Sequence, residues 1–254
     1  MMPKRRQCSL LSVLGIFIFG FCISNFILQP SLEQSAIGLP GLQKVQLPRP
    51  ILVVGMPKVG TSSIYEFFKC NGIKSSHYCC CGSNRTHTHC GDGRSFSDCM
   101  RQNAKSNRKI LEGCGDYDVY AQMDGEAGNS IYLPQHFALD SIHEYSPNAT
   151  WILNLRNAAE WVSSVTNWYG LGGRFLRRFK VDIKNKNANR TKALIDIFDN
   201  HVQTVRDFVR THPTHHLIEL DIKSKNAGKI LAHEFSLNEG CWGNHNQNPR
   251  RQSA

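Results

Sequence analysis

The sequence predicts an α/β protein: a parallel sheet of about five strands flanked by helices, behind an N-terminal transmembrane helix. Three observations predict it. From Pro50 onward, short β-branched runs alternate with amphipathic helical patterns, as in a parallel sheet whose crossovers are helices. An apolar strand at 51–55 runs into a Gly/Pro turn, and hydroxyl residues then open a helix. Near the amino terminus, residues 7–32 contain no charge at all.

The apolar heart of that first segment, residues 10–28, is 19 residues long. At helical rise it spans roughly 28 Å, close to a bilayer's hydrocarbon thickness. A secretory signal has a shorter apolar region and a small-residue cleavage site; no convincing Ala-x-Ala site follows here. Lys4, Arg5 and Arg6 precede the segment and should stay cytosolic, which sends the rest of the chain to the lumen. The expected organisation is a cytosolic tail (1–8), a signal anchor (9–29), a Pro-containing stem (30–49) and a lumenal domain (50–254). Three N-x-Thr sequons, at Asn84, Asn148 and Asn189, fit that side of the membrane, and the Golgi lumen is the expected compartment.

Within the lumenal part, strands are expected at 51–55, 72–77, 118–123, 150–155 and 217–221. Helices are expected at 62–69, 131–145, 158–168 and 191–211. The last carries Leu194, Phe198, Val202, Val205 and Val209 at helical spacing, a core stripe rather than a cofactor box. Residues 79–114 break the alternation as a polar, Cys-rich insertion.

Composition narrows the function. The 254 residues suit one domain with appendages, and 41% hydrophobic against 20% charged residues exclude wholesale disorder. A formal charge of +10 suggests an anionic partner without choosing among nucleic acid, membrane, nucleotide and acidic glycan. Nucleic acid is disfavoured, because no recognition motif is present and the domain should be lumenal. Of ten cysteines, eight lie beyond the anchor, at 70, 79, 80, 81, 90, 99, 114 and 241. An even number in an oxidising compartment predicts disulfides. A zinc site built from Cys79–Cys81, His87, His89 and Cys90 is the alternative, though its spacing fits no regular scheme.

The most informative segment is Ile51-Leu-Val-Val-Gly-Met-Pro-Lys58-Val-Gly60-Thr61-Ser62-Ser63. Gly60 allows close backbone approach, and helix-start amides with Thr/Ser hydroxyls suit phosphate oxygens. Lys58 adds positive charge where negative charge collects. The nucleoside-triphosphate loop G-x-x-x-x-G-K-[ST] is not present: the lysine lies two residues before the second glycine, and Thr61 follows that glycine. That order counts against a kinase.

The order Pro-Lys-x-Gly-Thr-Ser resembles the phosphosulfate loop of sulfotransferases that use 3′-phosphoadenosine 5′-phosphosulfate (PAPS). A second match lies about 100 residues on, in Leu155-Arg156-Asn157 with Ser164 eight residues after the arginine. The resemblance implies a P-loop-type fold and PAPS as co-substrate, with PAP as product and no metal. Lys58 would steady the leaving phosphate oxygen, and Gly60, Thr61, Ser62 and Ser63 would hold the 5′-phosphate. Arg156 and Ser164 would grip the 3′-phosphate, a task suited to an Arg fork with a hydroxyl. Two departures stand out: Ala158 replaces a proline, and Trp161 stands where an arginine is often found. No late Lys-Gly loop is recognisable; residues 241–246 could replace it, with Trp242 stacking on adenine.

The acceptor is expected to be a hydroxyl on a glycan, and its proton needs a base. His77, ending the second strand, is the first candidate, with Asp124 and Glu126 at the end of the third as alternatives. The basic run Arg174, Arg177, Arg178 and Lys180, followed by Lys184, Lys186, Arg190 and Lys192, reads either as a solvated loop or as a rim that captures an anionic glycan. A catalytically inactive member that binds nucleotide or glycan remains the other expectation.

Overall fold

A computed structural model describes residues 47–80, 90, 94–182 and 189–243. The expected anchor and its basic flank, the sequon at Asn84, Cys8, Cys22, Cys81, His87, His89, Lys184, Lys186 and residues 244–246 lie outside the described residues. Among the described residues, no helix is long and apolar enough to cross a membrane.

Five parallel strands form the centre: β1 (Ile51–Val53), β2 (Ser75–Ser76), β3 (Val119–Tyr120), β6 (Thr150–Leu155) and β7 (His216–Asp221). Their order is β2-β3-β1-β6-β7, with Ile51 opposite both Val119 and Thr150. A separate antiparallel hairpin joins β4 (Gly125–Ala127) to β5 (Ser130–Tyr132). Helices follow as α1 (Thr61–Cys70), α2 (Phe96–Lys105), α3 (Pro134–Phe137), α4 (Leu139–Tyr145), α5 (Ala158–Thr166), α6 (Leu171–Arg178), α7 (Arg190–Thr211) and α8 (Ala227–Phe235).

Side chains on β1 alternate between two cores, as the two-residue period of a strand requires. Ile51 and Val53 pack with Ile64, Phe67 and Phe68 of α1 and Leu231 of α8. Leu52 and Val54 join the other side, with Trp161 and Val165 of α5 and Phe198 and Val202 of α7. The α7 stripe is core, as its spacing predicts. Because β1 sends its chain one way to β2 while β6 lies on its other flank, the crevice at the carboxyl ends of β1 and β6 is where such sheets bind ligands.

Several expectations need correction. The helix expected at 131–145 is three elements. Residues 130–132 pair with β4, and Pro134 opens α3, because proline suits a first helical turn but lacks the N–H of an interior position. The 72–77 and 118–123 strands shrink to two residues each. The Cys-rich insertion holds α2, capped by Ser95 accepting from the Asp98 amide at 3.1 Å. Part of the basic run is not a loop but α6.

Disulfides join Cys70 to Cys241, Cys79 to Cys90 and Cys99 to Cys114. The zinc alternative thereby loses two of its ligands, since Cys79 and Cys90 are bonded to each other.

Candidate active site

The loop from Val54 to Gly60 is gripped from below by buried polar side chains. Asn154 of β6 accepts from the Gly55 amide at 3.0 Å and donates to the Val59 carbonyl, so one side chain closes both ends of the loop. A Cβ on Gly55 would sit 2.2 Å from Asn154 Oδ1, which leaves only glycine there. His201 of α7 meets the Val54 carbonyl at 2.8 Å, and Gln135 of α3 donates to that of Gly55 at 3.4 Å. Trp161 Nε1 donates to the Pro57 carbonyl at 2.9 Å. The position where an arginine is often found therefore holds a wholly buried tryptophan that pins the loop instead.

Above these anchors the loop is bent. Lys58 has φ 68° and Gly60 φ 75°, both left-handed. For glycine that costs nothing, and a Cβ at Gly60 would in any case meet Ile222 at 2.9 Å. For lysine it stores strain of about 1–3 kcal/mol, a cost typically found where function needs the geometry. Gly60 ends the loop, and no side chain caps α1. The first-turn amides of α1 and the Gly60 turn form an anion-receiving end.

Lys58 and Arg156 converge on this turn. Arg156 donates to the Lys58 carbonyl at 3.1 Å and pairs with Glu160 of α5 at 2.9 Å. Its Nε is buried with no hydrogen-bond partner among the described residues, a donor that a ligand oxygen would satisfy. The Lys58 ammonium lies 3.4 Å from the ring centroid of Trp168. Burial, and then Arg156, lower its pKa to about 8. Ser164 is buried on α5, one turn beyond Trp161.

At the start of α1, Thr61 and Ser62 face His77. The Nε2 atom lies 3.1 Å from the Thr61 hydroxyl and 3.4 Å from that of Ser62. Two hydroxyls facing one ring nitrogen suit a neutral imidazole, and burial pushes His77 down to about 4. Thr61 also reaches Gln122 at 3.4 Å, and Gln122 donates to Asp124 at 3.1 Å. Asp124 is buried, and its carboxyl is pushed up to about 6 by that burial against the hydrogen bonds of Gln122 and Gln135. Ser63 is buried in the first turn of α1.

The structure thus gathers Lys58, Gly60, Thr61, Ser62, His77, Arg156 and, through Gln122, Asp124. It does not gather Glu126, which pairs with Arg174 of α6 at 3.1 Å. Trp242 packs its edge against Phe67 and covers Gly228 of α8, tethered by the neighbouring Cys70–Cys241 disulfide. Asn154, Gln122, Gln135, His201 and the role of Trp168 were not legible in the sequence. Each acts through a contact across the fold, with no local motif to mark it.

Comparison with known proteins agrees with the geometry. Residues 50–171 match the family model described as a sulfotransferase domain, which spans the loop, His77, Asp124, Arg156, Ser164 and Trp168. No curated protein matches the chain.

Proposed function

We propose that this chain, whose residues 50–171 belong to the sulfotransferase domain family, transfers a sulfuryl group from PAPS to a hydroxyl of a glycan in the Golgi lumen. The observation that carries the reading is the joint arrangement of Lys58, the uncapped start of α1 and Arg156 around one left-handed turn. Two separate cationic side chains and a helix N-terminus suit a nucleotide bearing phosphates at both ends.

In the reaction the acceptor oxygen bonds to sulfur while the bond from sulfur to the 5′-phosphate oxygen breaks. The electron pair stays with the phosphate of PAP. Lys58, with the α1 amides and the hydroxyls of Thr61, Ser62 and Ser63, neutralises that developing charge; Arg156 and Ser164 hold the 3′-phosphate. Such positioning and charge neutralisation supply most of the catalysis in group transfer of this kind. His77 takes the acceptor proton on Nε2, which faces the phosphate end of the site. Asp124 is the second reading for the base, favoured by its raised pKa and its link to Thr61 through Gln122. Trp242 borders the adenine from its place between α1 and α8.

Lumenal placement draws support from the N-terminal apolar segment and the disulfides, which belong to oxidising compartments. Among the described residues, Asn148 and the α7 cap Asn189 are exposed sequon asparagines. The test is transfer of label from PAPS to a panel of glycans, beside a Lys58→Ala control. Transfer that the control abolishes supports the reading. Binding without transfer would identify an inactive member, and transfer from ATP a kinase.

A further inference from the structure

The phosphate loop is held at two points by α5 and at a third by the segment that follows it. Trp161 donates to the Pro57 carbonyl, and Arg156, paired with Glu160, donates to the Lys58 carbonyl. Two residues beyond the end of α5, Trp168 presents the face of its indole to the Lys58 ammonium at 3.4 Å. The residue is itself held. Its backbone amide donates to the Val165 carbonyl at 3.4 Å, its backbone carbonyl accepts from the Leu171 amide at 2.7 Å, and the Tyr169 ring meets the indole edge-on at 5.2 Å. Tyr169 and Gly170 are both left-handed, at φ 35° and 70°. Such a backbone turns the chain sharply into α6 and leaves Trp168 facing the loop.

We propose that Trp168 is a positioning residue for sulfuryl transfer, its indole face holding the Lys58 side chain aimed and in its ammonium form beside the phosphate turn. The inference rests on the sulfotransferase reading above. Two influences on Lys58 oppose its charge, burial and the Arg156 guanidinium. Glu160 does not relieve them directly, because its carboxylate is paired to Arg156. The ring quadrupole works the other way: an aromatic face attracts a cation and not a neutral amine. A lysine that must be charged to neutralise a leaving phosphate, and that burial drives toward neutrality, needs such a contact. Trp168 supplies it without the carboxylate that would repel the nucleotide.

The experiment separates the ring's charge distribution from its bulk. Tryptophan at position 168 is replaced in the full chain by analogues with increasing fluorination, which keep the shape and weaken the π face. The apparent pKa of Lys58 is then read from pH-dependent acylation quantified by mass spectrometry, in the absence of nucleotide. The expected result is a steady fall across the series, reaching about one pH unit. In the transfer assay the alkaline limb of kcat/KM should move down in parallel, while KM for PAPS below that limb stays within about threefold. A Lys58 pKa that is the same in every analogue overturns the proposal, as does an alkaline limb that fails to move. If the pKa series slopes but the unmodified chain transfers no sulfuryl group, the Trp168–Lys58 coupling stands and the sulfotransferase reading falls. Trp168→Phe gives a further check, with an intermediate pKa expected because a weaker π face remains.

Discussion

Trp161 Nε1 donates a 2.9 Å hydrogen bond to the Pro57 carbonyl, from a side chain with no exposed surface. The contact joins α5, and so the Arg156 and Ser164 half of the site, to the loop that carries Lys58. Its ring also packs between Phe175 of α6 and Phe198 of α7. The departure from an arginine at this position is therefore compensated in structure. A neutral donor stands there instead of a charge and ties α5 to the loop that carries Lys58.

Trp161→Phe keeps an aromatic ring and removes the donor. The Pro57 carbonyl is left buried without its partner, and the smaller ring leaves a void. Together these should destabilise the fold by about 2–4 kcal/mol. Urea unfolding followed by circular dichroism measures it. A midpoint equal to that of the parent would mean the bond does not hold the loop.

Arg156 pairs with Glu160 at 2.9 Å, so under the proposed function the carboxylate competes with a phosphate for the guanidinium. Arg156→Lys loses the fork geometry and should weaken PAP binding by about 10- to 100-fold. Glu160→Gln should instead leave affinity equal or up to about threefold tighter, because the carboxylate is half-exposed and its pairing is screened by solvent. Calorimetric titration with PAP compares the two. Weaker binding in Glu160→Gln would show that the carboxylate orients Arg156 rather than competing for it.

The strand-loop-helix units were legible because their signals are local. The run from Ile51 to Ser63 and that from Thr150 to Ser164 each combine an apolar strand, a turn and a helix start within about fifteen residues, and β6 matches its expected bounds, 150–155. The segment 131–145 misled because Ile131, Ile142 and their neighbours satisfy a helical period while Ile131 pairs in β5. Strand pairing with β4 overrode the local pattern. Gln122, Gln135 and Asn154 carry no motif. Their roles exist only once β3, α3 and β6 have converged beneath the loop.

The base can be identified from the pH dependence of kcat/KM. With His77 as base, the acid limb should lie near pH 4, and the rate should stay level until Lys58 loses its proton near 8. His77→Gln should then lower kcat by about 10²- to 10⁴-fold. An acid limb near 6 that disappears in Asp124→Asn would transfer the role to Asp124, whose carboxyl titrates there.

The Cys70–Cys241 bond closes a loop of 171 residues and fastens the segment bearing Trp242 to the end of α1. Loss of so long a crosslink should cost about 4–5 kcal/mol through the unfolded chain's regained freedom. Cys241→Ser should show this in its unfolding midpoint, and should also weaken PAP binding if Trp242 borders the adenine. Lower stability with unchanged affinity for PAP would remove Trp242 from the nucleotide site.

Stability should fall as the solution is made acid, for a reason that two histidines and one aspartate make explicit. Burial, with His136 nearby, pushes His201 down to about 3, and burial pushes His77 down to about 4. In the unfolded chain both titrate near 6.5. Below that value the unfolded state binds protons that the folded state refuses, so each histidine removes up to about 1.4 kcal/mol per pH unit until its folded pKa is reached. Asp124 has the opposite sign. Its folded pKa, about 6, stands above the ordinary carboxylate range of the unfolded chain, so its contribution is full at low pH and is lost as pH rises through 6. Between pH 4 and 6 it offsets one of the two histidines, which leaves a net slope of about 1.4 kcal/mol per unit. Urea midpoints measured from pH 4.5 to 7 should therefore rise steadily. Asp124→Asn should steepen the acid part of the curve by a similar slope, while His201→Gln should flatten it. A parent curve that is level across this range would show that these groups do not remain buried in the folded chain.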